Sequence, residues 1–132
     1  MRPPRLYLFA LLAATASSAF ASDYAAIERQ CREEMGQLNN SVVMGCAEQA
    51  SDAARKDMNR VYQKTYLALR KLGEEDAAGF EAAQKAWLQY REAWCDSQSR
   101  SIGTPYFSIC RMNLNIARVA ELEAFYGQVP GQ

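Results

Sequence analysis

The sequence predicts an all-α fold: a small, disulfide-stapled bundle of three to four antiparallel helices. Three observations predict it. Apolar residues recur every three or four positions, and no stretch alternates with period two for long. Glycine, asparagine, serine and proline gather at a few places only, which divides the chain into long helical segments. Four cysteines, Cys31, Cys46, Cys95 and Cys110, sit nearly symmetrically about two of the dividing points.

The first residues stand apart from this pattern. Arg2 and Arg5 make a positive start, and Leu6 to Ala14 is an apolar run too short to span a bilayer comfortably. Ala19-Phe20-Ala21 has the small-x-small pattern of a signal-peptidase site. Cleavage after Ala21 is expected, with residues 1–21 a signal peptide and residues 22–132 a single domain. No cysteine stands at the junction, which argues against a bacterial-type lipid anchor. Removing the leader removes two arginines and leaves 13 basic against 15 acidic residues, with the signs interspersed. Nucleic acid would call for a basic face, so that class is set aside. No second apolar run is long enough for a membrane span.

A first helix is expected from Tyr24 to about Gln37, capped by Ser22 or Asp23. Gly36 and Asn39-Asn40-Ser41 end it and start the next, with Ser41 as N-cap. The second helix is expected from Val42 to Leu72, with Gly45 and Ser51-Asp52 as points where it could bend. Val43, Ala47, Ala50, Ala54, Met58, Val61, Leu69 and Leu72 give it an apolar stripe with one gap. Gly73 is the stop. Glu74-Glu75-Asp76 opens the third helix, where acids suit the dipole. A metal site there would need further ligands, and the chain has no histidine. No cofactor is expected.

On the third helix, Phe80, Ala83, Trp87, Leu88, Tyr90, Trp94 and Cys95 fall in one arc at about 100° per residue. Gln84 and Arg91 lie inside that arc and need partners. Asp96 to Pro105 reads as an irregular loop, and a fourth helix as Tyr106 to Tyr126. On the fourth helix Cys110, Leu114, Ala117 and Phe125 share one side, and Ile109, Met112, Ile116 and Val119 another. Arg118 and Glu121 are three residues apart and can pair. The expected polar network is therefore Asn59, Gln84, Arg91, Arg118 and Glu121, with Gln84 bonded to Asn59 and the arginines to Glu121 or helix-end carbonyls. It reads as structural rather than as a ligand pocket.

An even number of cysteines in an exported chain reads as disulfides. Helix hairpins about residues 38–39 and 102 would level Cys31 with Cys46 and Cys95 with Cys110, which is the favoured pairing. The rival joins Cys46 to Cys95 about Gly73 and leaves Cys31 to meet Cys110. It requires the helices to absorb an offset of about 7–8 Å.

Gln84-x-x-Trp87-x-x-Tyr90-Arg91-x-x-x-Cys95 resembles the signature of the LprI-like family of small exported bacterial domains. Met58-Asn59-x-x-Tyr62 is similar to that family's Leu-Asn-x-x-Tyr. Asn115-x-x-Arg118-x-x-Glu121-Leu122 is similar to its Thr-x-x-Arg-x-x-Glu-Leu. Cys31 and Cys46 fall where the family has its first two cysteines. Glu92 stands where Asp is usual, Asn115 where Thr is, and Arg55 where Asp often precedes the Leu-Asn pair. Val43-Met44 loosely echoes the Met-Asn before the second cysteine. The family takes its name from a lipoprotein that inhibits lysozyme. The resemblance therefore implies a binding protein with a protein partner, lysozyme being the candidate, in the bacterial periplasm or outside the cell.

The residues themselves offer little to an enzyme. There is no histidine, no thiol once both bridges form, and no Gly-rich phosphate loop. Trp87 and Trp94 read as core rather than as a sugar platform. An inhibitor of lysozyme must block a cationic enzyme whose cleft holds two acids. The segment from Asp96 to Tyr106, with Arg100, Ser101, Thr104 and Tyr106, is the candidate partner-binding loop. The alternative to inhibition is a structural or adaptor role in the bacterial envelope.

Overall fold

The structure is a computed structural model and describes residues 22–132. The expected signal peptide lies outside the described residues. Four helices follow one another: α1 (Tyr24–Met35), α2 (Asn40–Leu72), α3 (Glu74–Ile102) and α4 (Tyr106–Tyr126). They form an all-α bundle with no strand among the described residues.

The central column is α2. Its 33 residues span about 50 Å, and it packs on each of the other three helices. Ala47, Ala50 and Ala54 are fully buried along it, and such small side chains let α4 approach closely. The gap in its apolar stripe is Thr65, which is fully buried. Thr65 satisfies its own hydroxyl by donating from Oγ1 to the Val61 carbonyl at 2.8 Å. Gly45 and Ser51-Asp52 leave the helix unbroken.

The helix ends follow capping chemistry. Asp23 caps α1, its carboxylate accepting from the Ala26 amide at 2.9 Å. Gly36, at φ 66°, closes that helix with a left-handed turn. The cap of α2 is Asn39, not the expected Ser41: Asn39 has the extended backbone and its Oδ1 accepts from the Val42 amide at 3.0 Å. Gly73 alone separates α2 from α3.

Most of the expected loop after Asp96 is helical. Serine and glutamine are tolerated in a helix, and no breaker occurs before Gly103, whose φ is 92°. Asp96 and Arg100 pair one turn apart on this last stretch. Only Gly103, Thr104 and Pro105 join α3 to α4.

The disulfides are Cys31–Cys46 and Cys95–Cys110, with Cα atoms 5.4 and 5.5 Å apart. Both are level pairings across helix hairpins, and the rival Cys46–Cys95 link is absent. Each closes a separation of 15 residues, worth about 3 kcal/mol in the chain-entropy account. The opposite end of the bundle is held by packing. Tyr62 stacks on Phe80 with ring centroids 5.1 Å apart, and Phe80 meets Phe125 at 5.8 Å.

The start of α1 is tied to α2 by a cluster that the sequence reading did not anticipate. Ser22 Oγ and the Tyr24 hydroxyl both donate to Asp57 Oδ2 at 2.8 Å, and Arg60 donates to Oδ1 at 3.2 Å. Burial pushes the Asp57 carboxyl up, but these donors together outweigh it and hold the pKa below the ordinary 3.8. Burial, with Asp57 beside it, raises the Tyr24 phenol.

A carboxylate with a depressed folded pKa stabilises the fold above its unfolded pKa, and that stabilisation is lost as pH falls through the folded value. Asp57→Asn is therefore expected to lower stability at pH 7 by about 1 kcal/mol. Its deficit should shrink as pH falls below the ordinary 3.8 of an aspartate. Urea unfolding of both proteins across pH 2–7 checks this.

Candidate functional site

The polar residues that interrupt the apolar faces of α3 and α4 meet each other in the bundle interior. On α3 the buried stripe runs Ala77, Phe80, Gln84, Arg91 and Cys95. On α4 it runs Ser108, Met112, Asn115, Val119 and Leu122, with Cys110 buried beside it against Cys95. Gln84 and Arg91 therefore face Asn115 and Arg118 across the helix seam.

The Asn115 side chain is at the centre of this contact and is 1% exposed. Its Oδ1 accepts from Arg91 Nη1 at 2.8 Å, and its Nδ2 donates to Ser51 Oγ at 2.8 Å. One amide thus joins α2, α3 and α4. Arg91 turns its Nε to Glu92 at 2.9 Å, and the same carboxylate lies 3.3 Å from Arg111 Nε. One turn towards the other end of the bundle, Arg118 donates from Nε to Gln84 Oε1 at 3.1 Å and pairs with Glu121 at 2.8 Å. The guanidinium carbons of Arg91 and Arg118 lie 5.5 and 5.3 Å from the Trp87 ring centroid. Cation–π attraction adds to the ordering of both.

Of the expected network, Gln84, Arg118 and Glu121 are together, and Arg91 is joined to them through Trp87. Asn59 is exposed on α2 and makes no bond to Gln84; the amide partner of this ladder is Asn115. The signal for Asn115 was available as the middle of a three–four spacing with Met112 and Val119. Ser51 carries the same signal on α2, four residues after Ala47 and three before Ala54.

The two tryptophans are seven residues apart and share one side of α3, but Trp87 is half-buried beside Arg91 and Arg118 whereas Trp94 has no such cover. Tyr90 and Trp94 are not core: they are 52% and 44% exposed and stack on each other with centroids 6.2 Å apart. The inward direction of α3 is set by the stripe through Gln84 and Arg91, which turns Tyr90 and Trp94 outward. The expected partner-binding residues are at the α3–α4 end. Arg100 and Ser101 belong to the last turn of α3, Thr104 is exposed in the turn, and Tyr106 begins α4 half-buried. Arg100 is engaged by Asp96.

Chemically, this interior orients rather than reacts. Glu92 and Glu121 each have an arginine partner. All four cysteines are in disulfides. Among the described residues, no group of three or more His, Cys, Asp or Glu side chains could hold a metal ion. No described helix is long and apolar enough to cross a membrane. A polar cleft of about 280 Å³ bordered by Glu48, Ser51, Asp52, Arg55, Arg111 and Asn115 reaches this network from the α2–α4 side.

A comparison with protein families finds one whose model is described as lysozyme inhibitor LprI, matching residues 31–122. The chain belongs to the LprI family. The match runs from the first cysteine to Leu122, so it takes in both disulfides and the whole ladder. An LprI domain is thus described as an inhibitor rather than an enzyme. No curated protein and no solved structure matches the chain.

Asn115→Leu is expected to destabilise the domain by about 2–4 kcal/mol, because it leaves the buried Arg91 without its neutral partner. Arg91→Met added to Asn115→Leu should recover most of that loss. Urea unfolding of the two single variants and the double variant measures the coupling.

Proposed function

We propose that the chain is exported, processed after Ala21, and acts as a non-covalent protein inhibitor of lysozyme. The observation that carries this reading is the LprI match over residues 31–122, which includes every cysteine. Disulfides are stable in oxidising compartments, which agrees with a place outside the cytoplasm. Two covalent staples on a helical scaffold also suit inhibition by surface complementarity. A surface ordered before contact loses less conformational freedom on binding. The exposed Tyr90–Trp94 pair favours a second reading, an envelope adaptor that docks another protein through the outer face of α3.

Titrating the oxidised protein, residues 22–132, against lysozyme turning over cell-wall substrate is expected to give saturable inhibition. A reduced and alkylated sample should give none. Absence of inhibition towards both animal-type and bacterial-type lysozymes would hand the chain to the adaptor reading.

Processing has its own readout. Cleavage after Ala21 creates an α-ammonium on Ser22, whose side chain is already bonded to Asp57. The chain that begins at Ser22 is expected to melt at a higher temperature than one carrying two extra residues ahead of it. Mass spectrometry of the secreted protein should give Ser22 as the first residue.

A further inference from the structure

We propose that the groove between the first half of α3 and the second half of α4 is the surface that takes the partner. Its occupant is a protein segment presenting an arginine or lysine beside an apolar side chain. The inference rests on the binding-protein reading above and assigns it a place and a chemistry.

The groove measures about 480 Å³. Its floor is apolar, made by Leu69, Phe80 and Leu122, and Phe125 forms a wall that is 41% exposed. Its rim is acidic. Glu75, Asp76 and Glu121 stand against one cation, Arg118. Arg118 pairs with Glu121, whereas Glu75 and Asp76 make no ion pair among the described residues. The local charge is therefore −2 beside an apolar floor. A cation entering there completes the rim, and an apolar neighbour covers Phe125. The same carboxylates would steer a cationic enzyme during approach.

Gly79 lines the α3 wall of this groove, as the equally unhindered Gly45 lines the groove beside Cys31–Cys46. It is an exposed residue inside α3, where glycine is unfavourable. Its φ is not positive, and a Cβ built on it meets nothing within 4 Å. Neither the backbone nor packing within this chain asks for glycine there. What its missing side chain does is leave the α3 wall of the groove bare.

A second apolar groove lacks this selectivity. It lies beside Cys31–Cys46, measures about 370 Å³, and has no charged residue in its lining. The α3–α4 turn is three residues long, and the nearby Arg100 is already paired with Asp96.

Two variants test the proposal. Gly79→Leu fills the groove and is expected to keep or raise the melting temperature, since its Cβ has open space. Glu75→Lys with Asp76→Lys reverses the unpaired rim. Both are assayed for lysozyme inhibition beside the parent and Gly45→Leu, which fills the other groove. If Gly79→Leu does not fold, Ala83→Gln, an exposed position on the same wall, replaces it.

If the parent inhibits, both groove variants are expected to weaken inhibition about tenfold or more, and Gly45→Leu is expected to match the parent. Inhibition retained in either groove variant overturns the groove while leaving the inhibitor reading intact. If the parent inhibits no lysozyme, the inhibitor reading fails and the groove is decided by amide-shift mapping with the peptide acetyl-Arg-Leu-Arg-amide. Shifts confined to residues 75–83 and 118–125, lost in Gly79→Leu and absent with acetyl-Glu-Leu-Glu-amide, support it. Shifts elsewhere, or none, overturn it.

Discussion

The arrangement of three helices depends on one buried amide. An arginine that is 6% exposed, as Arg91 is, is tolerated only if its donors are met. Asn115 meets one of them and passes the constraint on to Ser51. An amide has a donor end and an acceptor end, so this chain of bonds has a direction. Sliding α3 past α4 by one turn would take Arg91 away from Asn115 and leave the Asn115 Oδ1, whose amide Ser51 of α2 holds in place, without its donor. Apolar side chains alone would tolerate several registers at similar energy. The polar ladder removes that degeneracy and thereby fixes which residues of α3 and α4 stand on either side of their seam.

Around that contact, α2 acts as a narrow column. Its alanines make little lateral demand and let its neighbours close in. The two ends of the bundle are built differently. At the Cys31–Cys46 and Cys95–Cys110 end, covalent bonds tie α1 to α2 and α3 to α4. At the Gly73 end, aromatic rings and Leu69, Leu122 and Val129 supply the contact. Lys64 adds a cation–π contact with Tyr126, at 4.1 Å from its ring centroid.

The fold class, the helix order and the cysteine pairing were legible in the sequence because they rest on periodicity and spacing. The helix faces were less legible, for one physical reason. Burial follows geometry, whereas a hydrophobic pattern follows side-chain polarity. Where they part, at Thr65, Gln84, Arg91, Ser108 and Asn115, an apolar reading either leaves a gap or rotates the face. It rotated α3 far enough to place Tyr90 and Trp94 inside, and on α4 it passed over Ser108 and Asn115, which share the buried stripe with Met112, Val119 and Leu122. Residues 96–102 were misread for a related reason. Serine-rich composition signals a loop only when a true breaker accompanies it, and the first one is Gly103. Asn59 was expected to face Gln84, but it follows the buried Met58 on α2 and its own side chain points to solvent.

Fastening the bundle covalently at one end has a mechanical consequence. Cross-links limit how far the helices can part near them, and the permitted amplitude grows with distance along the column. At the Gly73 end α2 and α3 are joined by the chain, but α3 and α4 are held to each other there by van der Waals contact and a few weak polar bonds, which makes their free ends the compliant part of the molecule. The domain resembles tongs with a welded hinge. Its jaws can yield slightly to the shape of what they grip, while their spacing at the hinge cannot change without breaking sulfur–sulfur bonds.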